Sequence, residues 1–303
     1  MFQEMLSQIG ILLLIVIIGV LARFWKVLTE SVVRDLNKLV IGLTLPILYF
    51  YVLAAQTSRK VLISSWYLPF LALGIVLAGL ILAYLFSKFI PLSKAQKKSF
   101  FYLSAFTNCG FLAIPLALFL FGQEGVVRVV IFNLGFSMLI WTLGVSILGG
   151  EAGKHSVFNN LFNPGTIALS LGFLAVALRL KLPYIVDRAF SLVGGITIPL
   201  AMLVIGGILA GREIHRNVAV KLIIPLVLIR LIIIPALSLA IGRLFSFPDL
   251  IQGIFILQAA MPSASTTPLF VQRFGGDPEL AGSGVFFTHI LSIITVPFWI
   301  SLI

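Results

Sequence analysis

The amino-acid sequence predicts an all-α membrane protein with ten transmembrane helices, arranged as two inverted repeats of five helices, with the fourth and ninth helices broken. First, the 303 residues are 60% hydrophobic and 10% charged, whereas a soluble domain has about 25% charged residues. Second, a pattern of helix-breaking residues recurs 153 residues further along the chain. Third, some of these residues are paired prolines, which mark discontinuous helices around a central site in transporters.

Apolar runs of roughly 20 residues are each long enough to cross a hydrocarbon core of about 30 Å. Glycines, prolines and short charged segments separate the runs. The predicted spans are 6–24, 32–54, 66–87, 99–121, 125–148, 164–180, 187–210, 217–242, 250–272 and 280–302. Residues 1–148 then form the first repeat, residues 149–163 the connecting loop and residues 164–303 the second repeat.

The repeat itself is carried mainly by residues that bend or break a helix. The segment 42–46 (GLTLP) recurs as 195–199 (GITIP). Further matched pairs are Gly19 and Gly172, Pro115 and Pro268, and Gly122 and Gly275. Because five helices per half is an odd number, the second half enters the membrane from the opposite side. We therefore expect an inverted repeat, which is an architecture of transporters.

The distribution of Lys and Arg predicts the orientation of the chain. The connections on one side hold 13 of these residues and those on the other side hold seven. Because cytoplasmic loops collect basic residues, we expect both termini to face outward from a cell membrane. The formal charge of +11 is explained by this topology, so we expect the lipid bilayer, and no nucleic acid, as a partner.

Helices four and nine carry the residues that we predict to bind a substrate. Helix nine has two prolines six residues apart among four hydroxyl residues, and a regular helix is not sustained there. Non-helical backbone at membrane depth is either buried in protein or lines a water-filled cavity. The free backbone amides at the N-terminus of a half-helix can bind an anion. The alternative is a plain proline kink. The predicted residues are Asn108, Gly110, Pro115, Pro262, Ser263, Ser265, Thr266, Thr267 and Pro268.

Pro46 and Pro199 form a second repeat-related pair, in helices two and seven, and we assign both to the predicted substrate site as well. Thr44 and Thr197 precede them by two residues. These threonines either line the cavity or bond back to their own helix.

Two ionisable residues and one amide fall within predicted spans and are assigned a possible ion or proton role: Arg230, His289 and Gln258. Arg230 either attracts an anionic substrate or is a static partner of backbone carbonyls. His289 either titrates near neutral pH or is a satisfied packing residue. All Asp and Glu residues lie at span ends or in loops, so a buried carboxylate relay is missing. With no nucleotide, protease or hydrolase motif, we expect no cofactor, metal ion or enzymatic activity.

Several motifs resemble the auxin efflux carrier family, in particular a bacterial member within the wider bile acid and auxin carrier-like superfamily. They are residues 108–115 (NCGFLAIP), residues 260–264 (AMPSA) before Pro268, and residues 288–297 (THILSIITVP). The resemblance covers the whole chain. It implies a scaffold of helices 1, 2, 6 and 7 and a transport domain of helices 3–5 and 8–10, with helices four and nine crossing at their prolines.

The resemblance also implies transport of organic anions by an elevator-like motion, often in a homodimer. Asn108, Pro115 and Pro268 would flank the substrate, with Tyr49 near Pro46 on the scaffold side. A GxxxG pattern at 207–211 could bring two helices close. The chain departs from the family or its relatives at three places. Residues 64–67 (SSWY) lack the acidic residue that plant members carry there. His289 occupies a position where a threonine is expected. Gln258 lies in the part of helix nine where bile acid transporters have a sodium-binding glutamate.

We therefore expect a secondary transporter of small organic anions, such as carboxylates and auxin-like molecules. The alternatives are a sodium-coupled symporter of the same anions, and an anion channel or membrane sensor that uses the broken helices as a gate.

Overall fold

The computed structural model describes residues 2–149, 162–211 and 220–303, without the side chains of residues 2–6, 8 and 9. The described residues form α-helices, short π-helical stretches and the segments between them. The α-helices are α1 (Phe2–Phe24), α2 (Glu30–Leu39), α3 (Leu45–Gln56), α4 (Arg59–Ser64), α5 (Leu68–Ser87), α6 (Lys94–Ala105), α7 (Ala113–Leu139), α8 (Val145–Gly149), α9 (Pro164–Ala177), α10 (Tyr184–Gly195), α11 (Thr197–Ala210), α12 (Val220–Val227), α13 (Ile234–Leu244), α14 (Asp249–Ala260), α15 (Thr267–Phe274) and α16 (Pro278–Ile300).

Several helical stretches are long and apolar enough to cross a bilayer. Within the described residues there are six, and three shorter apolar helices accompany them. The six are Glu30–Gln56, Arg59–Ser87, Ala113–Gly149, Tyr184–Ala210, Val220–Leu244 and Pro278–Ile300, and the shorter ones are Gly10–Phe24, Pro164–Ala177 and Asp249–Ala260. The chain is thus a multi-pass helical membrane protein. The count of ten spans and their inverted arrangement stay predictions, and residues 150–161 of the predicted loop lie outside the described residues.

Three of the long stretches contain a π-helical segment. These segments are Val40–Thr44, between α2 and α3, Ile140–Gly144, between α7 and α8, and Leu228–Ile233, between α12 and α13. A π-helical segment closes its hydrogen bonds over five residues rather than four, and such segments are frequent at functional sites. Arg230 and Thr44 both lie in these segments.

Glycines with positive φ end two helical segments at repeat-related positions. Gly122 has φ +62° and breaks α7 internally, near the predicted connection between spans four and five. Its partner in the repeat, Gly275, has φ +105° and follows α15 directly. Glycine adopts these conformations without the steric penalty of a Cβ atom, which explains why the same residue type stands at both positions.

The described chain forms two compact units. Unit 1 comprises Met1–Leu68, Gly110–Ser137 and Phe162–Arg212, and unit 2 comprises Pro69–Cys109, Met138–Leu161 and Glu213–Ile303. The predicted transport domain includes residues 110–137, which belong to unit 1. Because compactness does not report which parts move together, the division into scaffold and transport domain stays a prediction.

Unit 1 is built by close helix packing at glycines. A Cβ atom on Gly19 of α1 would lie 2.5 Å from the carbonyl oxygen of Leu203 in α11. The repeat-related Gly172 of α9 makes the equivalent approach to α3, where its Cβ would lie 2.8 Å from the Cβ of Leu53. Small residues let helix backbones approach closely, which is a main source of association between helices in lipid. The glycines at 207 and 211 likewise meet side chains of the same chain.

Unit 2 combines close packing with aromatic and polar contacts. A Cβ on Gly79 of α5 would lie 2.5 Å from the carbonyl oxygen of Ser104 in α6. The indole nitrogen of Trp299 donates a 2.7 Å hydrogen bond to the carbonyl oxygen of Leu231. This bond ties α16 to the π-helical segment that carries Arg230.

We predict that Gly206→Ala destabilises unit 1. The added Cβ would lie 2.1 Å from the carbonyl oxygen of Val16, so α1 and α11 must separate. Overpacking of this kind costs about 1–3 kcal/mol of the free energy of unfolding, and the melting temperature in detergent should fall. Gly10→Ala on α1 is the matched control, since a Cβ there meets nothing within 4 Å. Equal melting temperatures for both variants would contradict this packing.

Candidate functional site

Helix four is interrupted well before its proline. The helix α6 ends at Ala105, residues 106–112 are not helical, and α7 begins at Ala113. Phe106 is already extended, with φ −101° and ψ 122°. Pro115 is buried in the first turn of α7, where a missing N–H costs no intrahelical hydrogen bond.

Helix nine is interrupted between its two prolines, as the sequence predicts. The helix α14 ends at Ala260, and Met261 before Pro262 is extended, with φ −62° and ψ 143°. A residue that precedes proline avoids the helical region, so Pro262 explains where α14 ends. The helix α15 starts at Thr267 with Pro268 in its first turn, a position that favours proline.

Backbone hydrogen bonds join the two interruptions at an antiparallel bridge between Thr107 and Ser263. The amide of Asn108 donates to the carbonyl oxygen of Pro262 at 2.8 Å, and the amide of Ala264 donates to that of Phe106 at 2.9 Å. Four backbone groups that the broken helices leave open are thereby satisfied inside the protein, as a low-dielectric surrounding requires.

Asn108 and His289 form a buried side-chain pair in unit 2. The amide nitrogen of Asn108 lies 3.1 Å from Nε2 of His289, and Nδ1 of His289 lies 2.8 Å from the carbonyl oxygen of Val285. A carbonyl only accepts, so Nδ1 donates to Val285 and Nε2 accepts from the amide. Both ring nitrogens of this neutral imidazole are satisfied, and the ring fixes the orientation of the Asn108 amide.

The hydroxyls of helix nine have different partners. Ser263 is fully buried and donates to the carbonyl oxygen of Leu103 at 2.9 Å, and Thr267 donates to that of Ala264 at 2.6 Å. Thr266 is half-buried and makes no capping bond. Ser265 is 3% exposed, and its hydroxyl has no hydrogen-bond partner within the described part of the chain. Ser265 is therefore a buried hydroxyl of this segment without a hydrogen-bond partner among the described residues.

Two further predicted residues are fully buried in unit 2. Gln258 lies on α14, one turn before the interruption. Arg230 donates through Nη1 to the carbonyl oxygen of Ser104 at 3.1 Å and through Nη2 to that of Ala259 at 2.7 Å. Of the two roles that the sequence leaves open for Arg230, these contacts are those of a partner of backbone carbonyls.

The remaining predicted residues lie in unit 1. Tyr49 is buried, and its hydroxyl accepts a 3.2 Å hydrogen bond from the amide of Asn133. A Cβ on Gly110 would lie 3.2 Å from this same hydroxyl, so Gly110 and Tyr49 are neighbours. Pro46 is buried in the first turn of α3, whereas Pro199 in the first turn of α11 is exposed.

The repeat-related threonines beside these prolines are both buried. Thr44 is 1% exposed and Thr197 is 2% exposed, and neither hydroxyl has a hydrogen-bond partner within the described ranges. Neither threonine therefore bonds back to its own helix in the structure.

Two polar residues that sequence reasoning missed, Thr288 and Asn133, hydrogen-bond to the predicted site residues Ser263 and Tyr49. Thr288 accepts a 3.3 Å hydrogen bond from the amide of Ser263 and donates to the carbonyl oxygen of Gly284 at 2.7 Å. Asn133 supports Tyr49. Asn133 interrupts the apolar run 129–136, and this isolated amide was a usable signal.

We call the bridge between Thr107 and Ser263, with the two interruptions that it joins, the crossing. Its groups are neutral and polar, apart from the nearby Arg230. Neither interruption contains an acidic residue. Across the part of the chain that the structure describes, no group of three or more His, Cys, Asp or Glu side chains is arranged to hold a metal ion. The arrangement can hydrogen-bond a ligand through amides and hydroxyls.

Apolar spans combined with two interrupted and bridged helices define the class of protein, a membrane transporter. The chain belongs to the membrane transport protein family, whose sequence model matches residues 5–160 and 153–300. It is 27% identical over 296 residues to an uncharacterized transporter of Methanocaldococcus jannaschii, covering 95% of this chain and 96% of that protein.

Two more relatives carry more specific names. A putative malonate transporter of Rhizobium meliloti is 24% identical over 272 residues, covering 86% of this chain and 84% of that protein. Auxin efflux carrier component 8 of Arabidopsis thaliana is 24% identical over 139 residues, covering 45% of this chain and 38% of that protein. These matches confirm the resemblance to the auxin efflux carrier family, and the names indicate a transporter rather than an enzyme.

We predict that Ser263→Ala destabilises the crossing. The variant leaves the carbonyl oxygen of Leu103 without the hydroxyl that now donates to it. A buried polar group left unsatisfied costs about 1–3 kcal/mol, which thermal unfolding in detergent measures. The control is Ser301→Ala, because the Ser301 hydroxyl donates to a backbone carbonyl at an exposed position. If the control lost as much stability as Ser263→Ala, the hydrogen bond from Ser263 to Leu103 would not be what stabilises the crossing.

Proposed function

We propose that this transporter carries small organic anions, foremost carboxylates, across the cell membrane by alternating access of the elevator type. The observation that carries the proposal is the crossing of two interrupted helices, joined by the backbone hydrogen bonds of Asn108 and Ala264. Secondary transporters form their substrate sites at discontinuous helices of this kind.

The polarity of the crossing favours an anion as the substrate. The N-terminus of α15 carries the positive end of a helix dipole, and it closely follows Ser265, whose buried hydroxyl has no hydrogen-bond partner among the described residues. The hydrogen bond to His289 fixes the orientation of the Asn108 side-chain amide. An amide group of this kind can donate a hydrogen bond to a carboxylate. The names of two relatives, which mention malonate and auxin, agree with organic anions as the substrate class.

The inverted repeat and the elevator motion are part of the proposal. The equivalent close contacts of Gly19 and Gly172 and the positive φ of Gly122 and Gly275 support an inverted repeat of ten spans. In this proposal, helices 1, 2, 6 and 7 form a scaffold, and helices 3–5 and 8–10 carry the substrate past it. A homodimer joined through the scaffold would hold that part still in the bilayer.

We predict that purified protein in proteoliposomes takes up labelled malonate with saturable kinetics, and that Asn108→Ala and Pro268→Ala reduce this uptake. Loss of a hydrogen bond to a charged group costs about 1.5–3 kcal/mol, so the uptake rate of Asn108→Ala should fall at least about tenfold. Gln123→Ala, at an exposed position of α7, should transport like the unmodified chain.

The same assay separates the alternatives. Uptake that rises linearly with malonate concentration and never saturates indicates a channel. Uptake that follows a sodium gradient indicates a symporter. Unchanged uptake in both the Asn108 and Pro268 variants would exclude the crossing as the substrate site.

We predict that Lys60 faces the outside of the cell and Lys94 the cytoplasm. Both side chains are exposed, and Cys109 is the only cysteine of the chain and is buried. In intact cells, a membrane-impermeant maleimide should label Lys60→Cys but not Lys94→Cys, and it should label both after the cells are opened. The unsubstituted chain is the control for Cys109. The reverse labelling pattern would invert the proposed topology.

A further inference from the structure

Arg230 holds together the C-terminal ends of the two half-helices. Its guanidinium group is fully buried in unit 2. Its two acceptors, the carbonyl oxygens of Ser104 and Ala259, belong to the penultimate residues of α6 and α14. One side chain therefore contacts both helices at the points where they are interrupted.

A cation is what these two helix ends require. The last carbonyls of a helix have no intrahelical donor, and the C-terminus carries the negative end of the helix dipole, equivalent to about half an elementary charge. Two such ends meet at Arg230. In transporters with broken helices, unwound carbonyls and half-helix C-termini of this kind coordinate the coupling cation.

Among the described residues, these dipoles balance the charge of Arg230, and no carboxylate pairs with it. The ion pairs found within the described ranges are Lys38 with Asp35 and Arg128 with Glu124, and Arg230 takes part in neither. The predicted helix-four and helix-nine segments around its acceptors contain no acidic residue near the interruptions. The guanidinium therefore supplies the positive charge that two helix C-termini attract.

The two halves of the repeat differ at this position. The residue 153 positions before Arg230 is Leu77, an exposed apolar residue of α5. A single arginine, supplied by one half, therefore serves both interrupted helices. Its placement in the π-helical segment Leu228–Ile233, tied to α16 by the hydrogen bond from Trp299, fixes the guanidinium between the two ends.

We propose that Arg230 is a tethered cation that replaces a bound coupling ion, so that the crossing is complete without sodium. Arg230 is then a positioning residue that keeps the two half-helix ends together. The inference deepens the proposed function, on which its transport experiment rests, whereas its stability experiment is independent of any substrate.

The stability experiment compares the unmodified chain with Arg230→Ala in detergent, in NaCl, guanidinium chloride at low concentration or choline chloride at equal ionic strength. Choline is too large to sit between two carbonyl oxygens. The melting temperature of the unmodified chain should be the same in NaCl and choline chloride. Arg230→Ala should be less stable in choline chloride, and Na⁺ or guanidinium should raise its melting temperature by about 3 °C or more, because a ligand that binds only the folded state stabilises it.

Arg243→Ala is the matched control. Arg243 also donates to a backbone carbonyl, that of Leu302 at 3.5 Å, but at an exposed position of α13. This control should show no cation-specific change. Arg230→Lys, which keeps a cation, should remain insensitive to sodium.

Two outcomes of the measurements in detergent would overturn the inference. One is a sodium-specific stabilisation, or saturable binding of radioactive sodium, in the unmodified chain, and this measurement needs no variant to fold. The other is a folded Arg230→Ala that responds to neither Na⁺ nor guanidinium.

The transport experiment measures malonate uptake with sodium replaced by potassium or choline on both sides of the membrane. The uptake rate of the unmodified chain should not change. An absolute need for sodium would overturn the inference and leave the proposed function standing. Absence of malonate uptake under all conditions would instead count against the proposed function, and the stability experiment would still decide the role of Arg230.

Discussion

Two helices that stop within the apolar part of the chain create the constraint on which the rest of unit 2 depends. Their open amides and carbonyls cannot be left to lipid, because each unsatisfied group costs several kcal/mol there. Three kinds of donor satisfy carbonyl oxygens at the interruptions: backbone amides across the bridge, the hydroxyl of Ser263, and the guanidinium of Arg230. The geometry of the crossing follows from satisfying these groups.

The two units are stabilised in different ways. In unit 1, glycines bring α1 against α11 and α9 against α3, and dispersion contacts between closely approaching backbones hold the helices. In unit 2, directional hydrogen bonds at the interruptions are added to such contacts. A polar crossing specifies one arrangement of its helices, because any slip leaves buried groups unsatisfied. An apolar helix interface has no comparable penalty for small displacements.

The sequence was informative where a local rule acts, and silent where a distant partner decides. Pro262 predicts the break in helix nine because proline restricts its predecessor, and Met261 is extended in the structure. Helix four ends at Ala105, well before Pro115, and its carbonyl at Leu103 accepts a hydrogen bond from Ser263, 160 residues further along the chain. No local signal encodes that pairing. The sequence shows that Arg230 lies within an apolar span, where a charged side chain has a high free-energy cost. Its two acceptors, however, lie on helices that only the fold brings together.

The π-helical segments have a consequence for comparing this chain with its relatives. Each segment accommodates one residue more than an α-helix of the same rise, so a wheel drawn at a uniform 100° per residue is out of phase by about one position after it. A relative that lacks the extra residue can keep both ends of the span at the same membrane depth. An alignment with such a relative would therefore place its one-residue gap inside a span, at 40–44, 140–144 or 228–233. Helical-wheel diagrams drawn across these segments assign the wrong face to the second half of each span.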